Sequence, residues 1–131
     1  MGREFDSVIE NIRTKDPRYK EDAYTFVMEA LNFTQKKYRH ATHVTGEQML
    51  DGMRELLIEK FGPLTMMVLK HWGIESTEDF GNIVFNLVDF NVLSKTEEDR
   101  IEKFRDAYDF KDVFLKGYRK DLHHRISQMR G

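Results

Sequence analysis

No cysteine occurs anywhere in the 131 residues, which removes disulfides, thiol catalysis and cysteine-ligated zinc. Long apolar runs are missing too. The longest, Met66-Met67-Val68-Leu69, falls far short of the ~20 residues a bilayer crossing needs. No apolar signal stretch follows Met1-Gly2-Arg3-Glu4-Phe5-Asp6, and Asp6 stands where a myristoylation signal carries a small hydroxyl. The expectation is a cytoplasmic protein without membrane contact.

Catalytic signatures are equally scarce. The chain has no glycine-rich phosphate loop, no Gly-x-Ser-x-Gly elbow and no His-Glu-x-x-His pattern. Carboxylates are plentiful, but Asp16, Glu47 and Asp79 each have a capping or first-turn role open to them. His40 and His43 are three apart and His123-His124 is adjacent, too few donors for zinc without cysteine. His71, beside Trp72, reads as a packing residue. No enzyme, cofactor or metal is expected.

What is present suits one globular domain spanning 1–131: 40% of residues are apolar and 34% charged. Only two prolines occur, and each marks a break. Phe5, Val8, Ile9 and Ile12 predict a first helix, ended by Asp16-Pro17, with Pro17 in the first turn of the next. Ala23, Phe26, Val27, Ala30, Leu31, Thr34 and Tyr38 form one face of that second helix. Thr45-Gly46-Glu47-Gln48 reads as a capping box. Behind it Met49, Leu50, Met53, Leu56, Leu57 and Phe61 make a clean stripe, closed by Gly62-Pro63. Leu64, Met67, Val68 and Trp72 predict the inner face of a short helix ended by Gly73. The methionines at 28, 49, 53, 66 and 67 read as core filler more than as a binding groove.

Ser76, with Asp79 three residues later, caps a further helix whose inner face is Phe80, Ile83, Val84, Leu87, Val88 and Asn91. Glu78, Asn82, Phe85, Asn86 and Asp89 lie opposite. After it, Val92–Thr96 and Ile101–Phe104 suggest either a short hairpin or a straight helical run from Thr96 to Tyr108. Leu115, Tyr118, Leu122, Ile126 and Met129 are an apolar stripe among Lys116, Arg119, Lys120, Arg125 and Arg130. The expected architecture is mainly α: a helical part (16–44), a winged-helix-like part (45–110) with a small β-hairpin as an option, and a basic amphipathic C-terminal helix (111–131).

Several of these stretches occur together in a known family. DPRYKEDAYTFVMEALNFT (16–34), HVTGEQMLDGMRELLIEKFGPLTMMVLKHWGI (43–74), TEDFGNIVFNLVDFNVLSKTEED (77–99) and YDF (108–110) carry the likeness. The chain resembles a family of short, uncharacterised bacterial proteins best known from planctomycetes and verrucomicrobia. That resemblance spans most of 16–110, implies no activity, and does not extend past residue 115.

Charge narrows the function further. Residues 75–110 hold 4 basic and 10 acidic side chains, whereas 111–131 hold 6 and 2. No Lys or Arg lies between Glu75 and Leu93, so Asn82 and Asn86, which could in principle read adenine, would face phosphates beside Glu78 and Asp89. Coulomb repulsion opposes DNA reading there. Phe85 is expected to be covered by the terminal segments; uncovered, it would be an aromatic anchor for a protein neighbour. The expected function is protein interaction or self-association through Glu78, Asn82, Phe85, Asn86 and Asp89, oriented by the basic tail. The alternative is a nucleic-acid-associated factor using that tail with Lys36, Lys37 and Arg39. A small enzyme ranks third.

Overall fold

The computed structural model of the chain describes residues 2–39, 43–94 and 104–116. Among the described residues there are five α-helices and no strand: α1 (Gly2–Lys15), α2 (Glu21–Lys37), α3 (Gly46–Phe61), α4 (Thr65–Trp72) and α5 (Thr77–Asp89). A 3-10 turn, Gly62–Leu64, joins α3 to α4, and a π-helical segment covers Lys111–Lys116. The mainly α expectation is met.

Helix ends follow local chemistry. Thr45 Oγ1 accepts from the Gln48 amide at 3.1 Å while Gln48 Oε1 accepts from the Thr45 amide at 2.9 Å, so the capping box forms as read. At α5, the Asp79 carboxylate accepts from the backbone amides of Ser76 (3.2 Å) and Glu75 (2.8 Å). Gly73 ends α4 at φ 86°, its amide donating to the Leu69 and Lys70 carbonyls. Glycine is needed there twice over, because a Cβ would lie 2.3 Å from the Arg18 carbonyl oxygen.

Ile9 and Ile12 of α1, Phe26, Val27 and Ala30 of α2, Met53 and Leu57 of α3, and Phe80, Ile83 and Leu87 of α5 share one core. The most extensive helix pair is α2 with α3. Their backbones come close at Gly52, where a Cβ would fall 1.9 Å from Thr34 Oγ1. Outside this contact Lys37 bridges Asp51 (2.8 Å) and Glu55 (2.7 Å). Such solvated pairs add little, so apolar burial holds the helices together.

Six expectations need correction, two of them single residues. His71, read as a packing residue, is exposed, and Asn91, read on the inner face of α5, lies exposed beyond its end at φ 61°. Pro17 sits in a turn across 16–20, and α2 starts only at Glu21. The Asp16 carboxylate accepts from the Arg18 amide at 3.3 Å, which stabilises the turn ahead of the helix. The buried face of α4 is Thr65, Leu69 and Trp72, whereas Leu64 and Met67 are 54% and 69% exposed. Thr65 can be buried because its hydroxyl reaches the Gly62 (2.8 Å) and Leu57 (3.2 Å) carbonyls.

The segment after α5 also departs from both readings of it. Val92 and Leu93 lie in bends, their amides donating to the Leu87 carbonyl, and Phe104 has a 3-10 conformation. Arg105–Tyr108 are turns and bends, with Asp106 at φ 47°, so no helix runs through to Tyr108. Thr77 holds this return, its hydroxyl donating to the Phe104 carbonyl and accepting from the Ala107 amide at 3.1 Å. Residues 95–103 lie outside the described residues. From Phe104 onward aromatic rings do the packing: Phe80–Phe110 centroids are 5.7 Å apart and Phe110–Phe114 5.5 Å.

The tail starts differently from expectation, with a π-helical segment and Leu115 37% exposed. Lys116 is its last residue; Arg119, Lys120, Arg125 and Arg130, with the rest of the expected C-terminal helix, lie outside the described residues.

Candidate functional site

Asn82 and Asn86 are four residues apart on α5 and so share a row. That row faces the turn between α1 and α2. Asn82 Nδ2 donates to the Tyr19 hydroxyl at 3.0 Å, and that hydroxyl donates to Asp79 Oδ1 at 2.5 Å. Asn86 Nδ2 donates to Asp16 Oδ2 at 2.9 Å and to the Tyr24 hydroxyl at 3.1 Å. Arg18 closes the outer side with two bonds of 2.8 Å to the Asp16 carboxylate, and its guanidinium lies 5.1 Å from the Tyr19 ring centroid. Seven side chains from three parts of the chain thus form one polar seam.

The electrostatics follow from these partners. The Arg18 guanidinium, helped by Asn86, holds the Asp16 carboxyl well below the usual carboxylate range against the opposing effect of burial. Asp16 in turn raises Arg18. Burial pushes the Tyr19 and Tyr24 hydroxyls up, and for Tyr19 the Asp79 carboxylate adds to the effect. The two tyrosines are 1% and 0% exposed, so each delivers a large apolar ring to the core and a hydroxyl to the seam.

This geometry changes what the expected protein-binding residues offer. The amides of Asn82 and Asn86 are engaged within the chain. Phe85 is half-buried and packs against the core, as do Phe33 and Phe90. Glu78 pairs with Arg105 at 3.3 Å, and Asp89 is exposed. The five residues are therefore not one open patch. Sequence reasoning missed Tyr19 and Tyr24 altogether and saw Asp16 and Asp79 only as caps. The available signal was a pair of asparagines at helical spacing on an otherwise apolar helix, with tyrosines elsewhere whose hydroxyls would need partners.

An open surface lies between α2 and α4. It is a groove of about 580 Å³. Asp22, Phe26 and Glu29 line it from α2, and Met67, His71 and Trp72 from α4. Its aromatic part is tightly built: Phe26–Trp72 centroids are 5.3 Å apart, and Phe61 meets Trp72 edge-on at 5.7 Å. At one end Lys60 Nζ lies 2.5 Å from Glu29 and 5.9 Å from the Phe61 centroid. A smaller cavity of about 270 Å³ is lined by Leu31, Val44, Met49, Val84 and Phe104, with His43 and Ser94 as polar members. Both its His43 and Ser94 sides adjoin residues outside the described ones.

Among the described residues no three histidine or carboxylate side chains come together as metal ligands. Nor is any helix there long and apolar enough to cross a membrane. No family model, no curated protein and no solved structure matches the chain, so the seam and the groove are what its function has to be read from.

Proposed function

We propose that the protein is an interaction or self-association module that docks through the α2/α4 groove. The observation that carries this reading is the exposure of Met67 (69%) in the wall of an aromatic-lined groove. Single exposed hydrophobics are ordinary, but one set in a groove with Phe26, Phe61 and Trp72 is what docking surfaces offer. The docking surface moves here from the 78–99 surface because Asn82 and Asn86 are engaged and Phe85 is half-buried. The succession α3, α4, α5 keeps the helical part of a winged-helix-like arrangement within the proposal, put to protein contact. A cytoplasmic setting belongs to the same reading.

Sedimentation of the full chain across a concentration series tests it. Wild type is expected to self-associate, and Met67→Glu to shift the protein to monomer. A wild type that stays monomeric at the highest concentration, or an association indifferent to Met67→Glu, removes the basis for the groove as a self-docking surface.

A further inference from the structure

Helices α3 and α5 both pack on α2 but scarcely on each other. The space left between them is the cavity of about 270 Å³, lined from α3 by Met49 and from α5 by Val84 and Val88. Its lining residues differ in exposure. Met49, Val84 and Phe104 are buried and belong to the closed end, whereas His43 and Ser94 are exposed and belong to the mouth.

Protein interiors are packed as densely as organic crystals, and voids larger than a water molecule are few. The side chains that keep this one open are short. Four of the chain's eight valines line it: Val44, Val84, Val88 and Val92, the last three at four-residue spacing. A longer side chain at these positions would take up the space. The cavity is therefore a property of the sequence chosen there, and an apolar hole left empty forfeits contacts that a ligand would supply.

The walls also fix what fits. Among the described lining residues only His43 and Ser94 carry a polar side chain, so water has few partners inside. An apolar cavity of about 150 Å³ takes up benzene, and 270 Å³ by the same measure accommodates about ten non-hydrogen atoms. At the mouth a hydroxyl and an imidazole can both bond a head group, and no carboxylate among the described lining residues repels a negative one. Gly46, the first residue of α3, lines the cavity as well, and a helix start favours negative charge.

We propose that this cavity binds a medium-chain aliphatic carboxylic acid. Its chain of about eight carbons lies on the valines, and its carboxylate stays at His43 and Ser94. The site shares no lining residue with the α2/α4 groove, so the inference goes beyond the interaction reading and stands apart from it.

Titration calorimetry of the full chain with octanoate tests it. Octanoate is expected to bind once per chain, and octylamine and octan-1-ol about fivefold or more weakly, the usual worth of one hydrogen bond. His43→Ala and Ser94→Ala should each weaken octanoate by a similar factor. Val88→Phe should abolish binding without lowering the urea midpoint, because the ring fills space that is already there. If Val88→Phe loses its helical circular dichroism, Val92→Phe, beyond the end of α5, takes its place. Trp72, the chain's one tryptophan, lines the groove and not the cavity, so its emission should stay unchanged.

Absence of octanoate binding overturns the proposal, as does binding that the phenylalanine variants leave intact. Octanoate that shifts Trp72 emission and still binds Val88→Phe sits in the groove, and overturns the cavity site. Octylamine or octan-1-ol binding as tightly as octanoate overturns the assignment of an acid.

Discussion

The seam between α5 and the 16–19 turn and the groove between α2 and α4 are built on opposite terms. In the seam, polar side chains that the sequence leaves available are bonded to one another and partly enclosed. In the groove, apolar side chains that the sequence assigns to the core stand at the surface. A polar group inside is tolerable only when paired, and the seam meets that condition: no buried side-chain nitrogen or oxygen among the described residues lacks a partner. An apolar group outside costs little by itself, so nothing in folding obliges the chain to cover Met67. Enclosure of the seam serves stability. Exposure of the groove is free to serve contact.

The contrast breaks most sharply at Asn86. Asn86→Ala strands the Tyr24 hydroxyl, which is 0% exposed, and removes a donor from Asp16. A loss of about 2–3 kcal/mol is expected, the cost of leaving buried partners unsatisfied, read as a lower urea midpoint. A value near zero would mean that the seam is solvated and the distinction fails.

Acid sharpens the same point with a smaller effect. The folded-state pKa of Asp16 lies below its ordinary value of 3.8, so its contribution is complete above about pH 4. As pH falls through the folded value, the carboxylate takes up a proton in the native state too, and the contribution is lost. Asp16→Asn should therefore be less stable than wild type near neutrality and converge with it in strong acid. Urea unfolding at a series of pH values checks this; parallel curves would show that the Arg18 and Asn86 contacts add nothing.

The smallest effect belongs to the groove. Met67→Glu should change unfolding free energy by no more than about 0.5 kcal/mol, because the side chain it replaces is already mostly in water. The new carboxylate also falls in the first turn of α4, where the helix dipole favours it. A large destabilisation would place Met67 in the core after all and would disqualify the variant as a probe of docking.

Legibility tracks the range of the interaction. Thr45 and Gln48 are three apart, as are Ser76 and Asp79, and both helix starts were readable because their bonds close within one turn. Gly62 and Gly73 ended α3 and α4 as read, each with a positive φ. The stripes of α1, α2, α3 and α5 reached the core because several residues agreed on one direction. The eight-residue α4 offered too few residues for such agreement. Thr65 then entered the core through bonds to carbonyls of the preceding segment, and the helix turned Leu64 and Met67 outward.

The seam was illegible for a related reason. Asn82 meets Tyr19 across 63 positions, and Asn86 meets Tyr24 and Asp16 across 62 and 70. The stretches 16–34 and 77–99 are the ones joined there, though nothing in their spacing says that they touch. By itself the sequence determined that the chain is mainly helical, where most of its helices start and stop, and which faces are apolar, since caps, breakers and periodicity act over a few residues. Tertiary structure alone decided which asparagines would be enclosed and which methionine left open, because only packing brings distant polar groups within bonding reach and sets the rotation of a short helix.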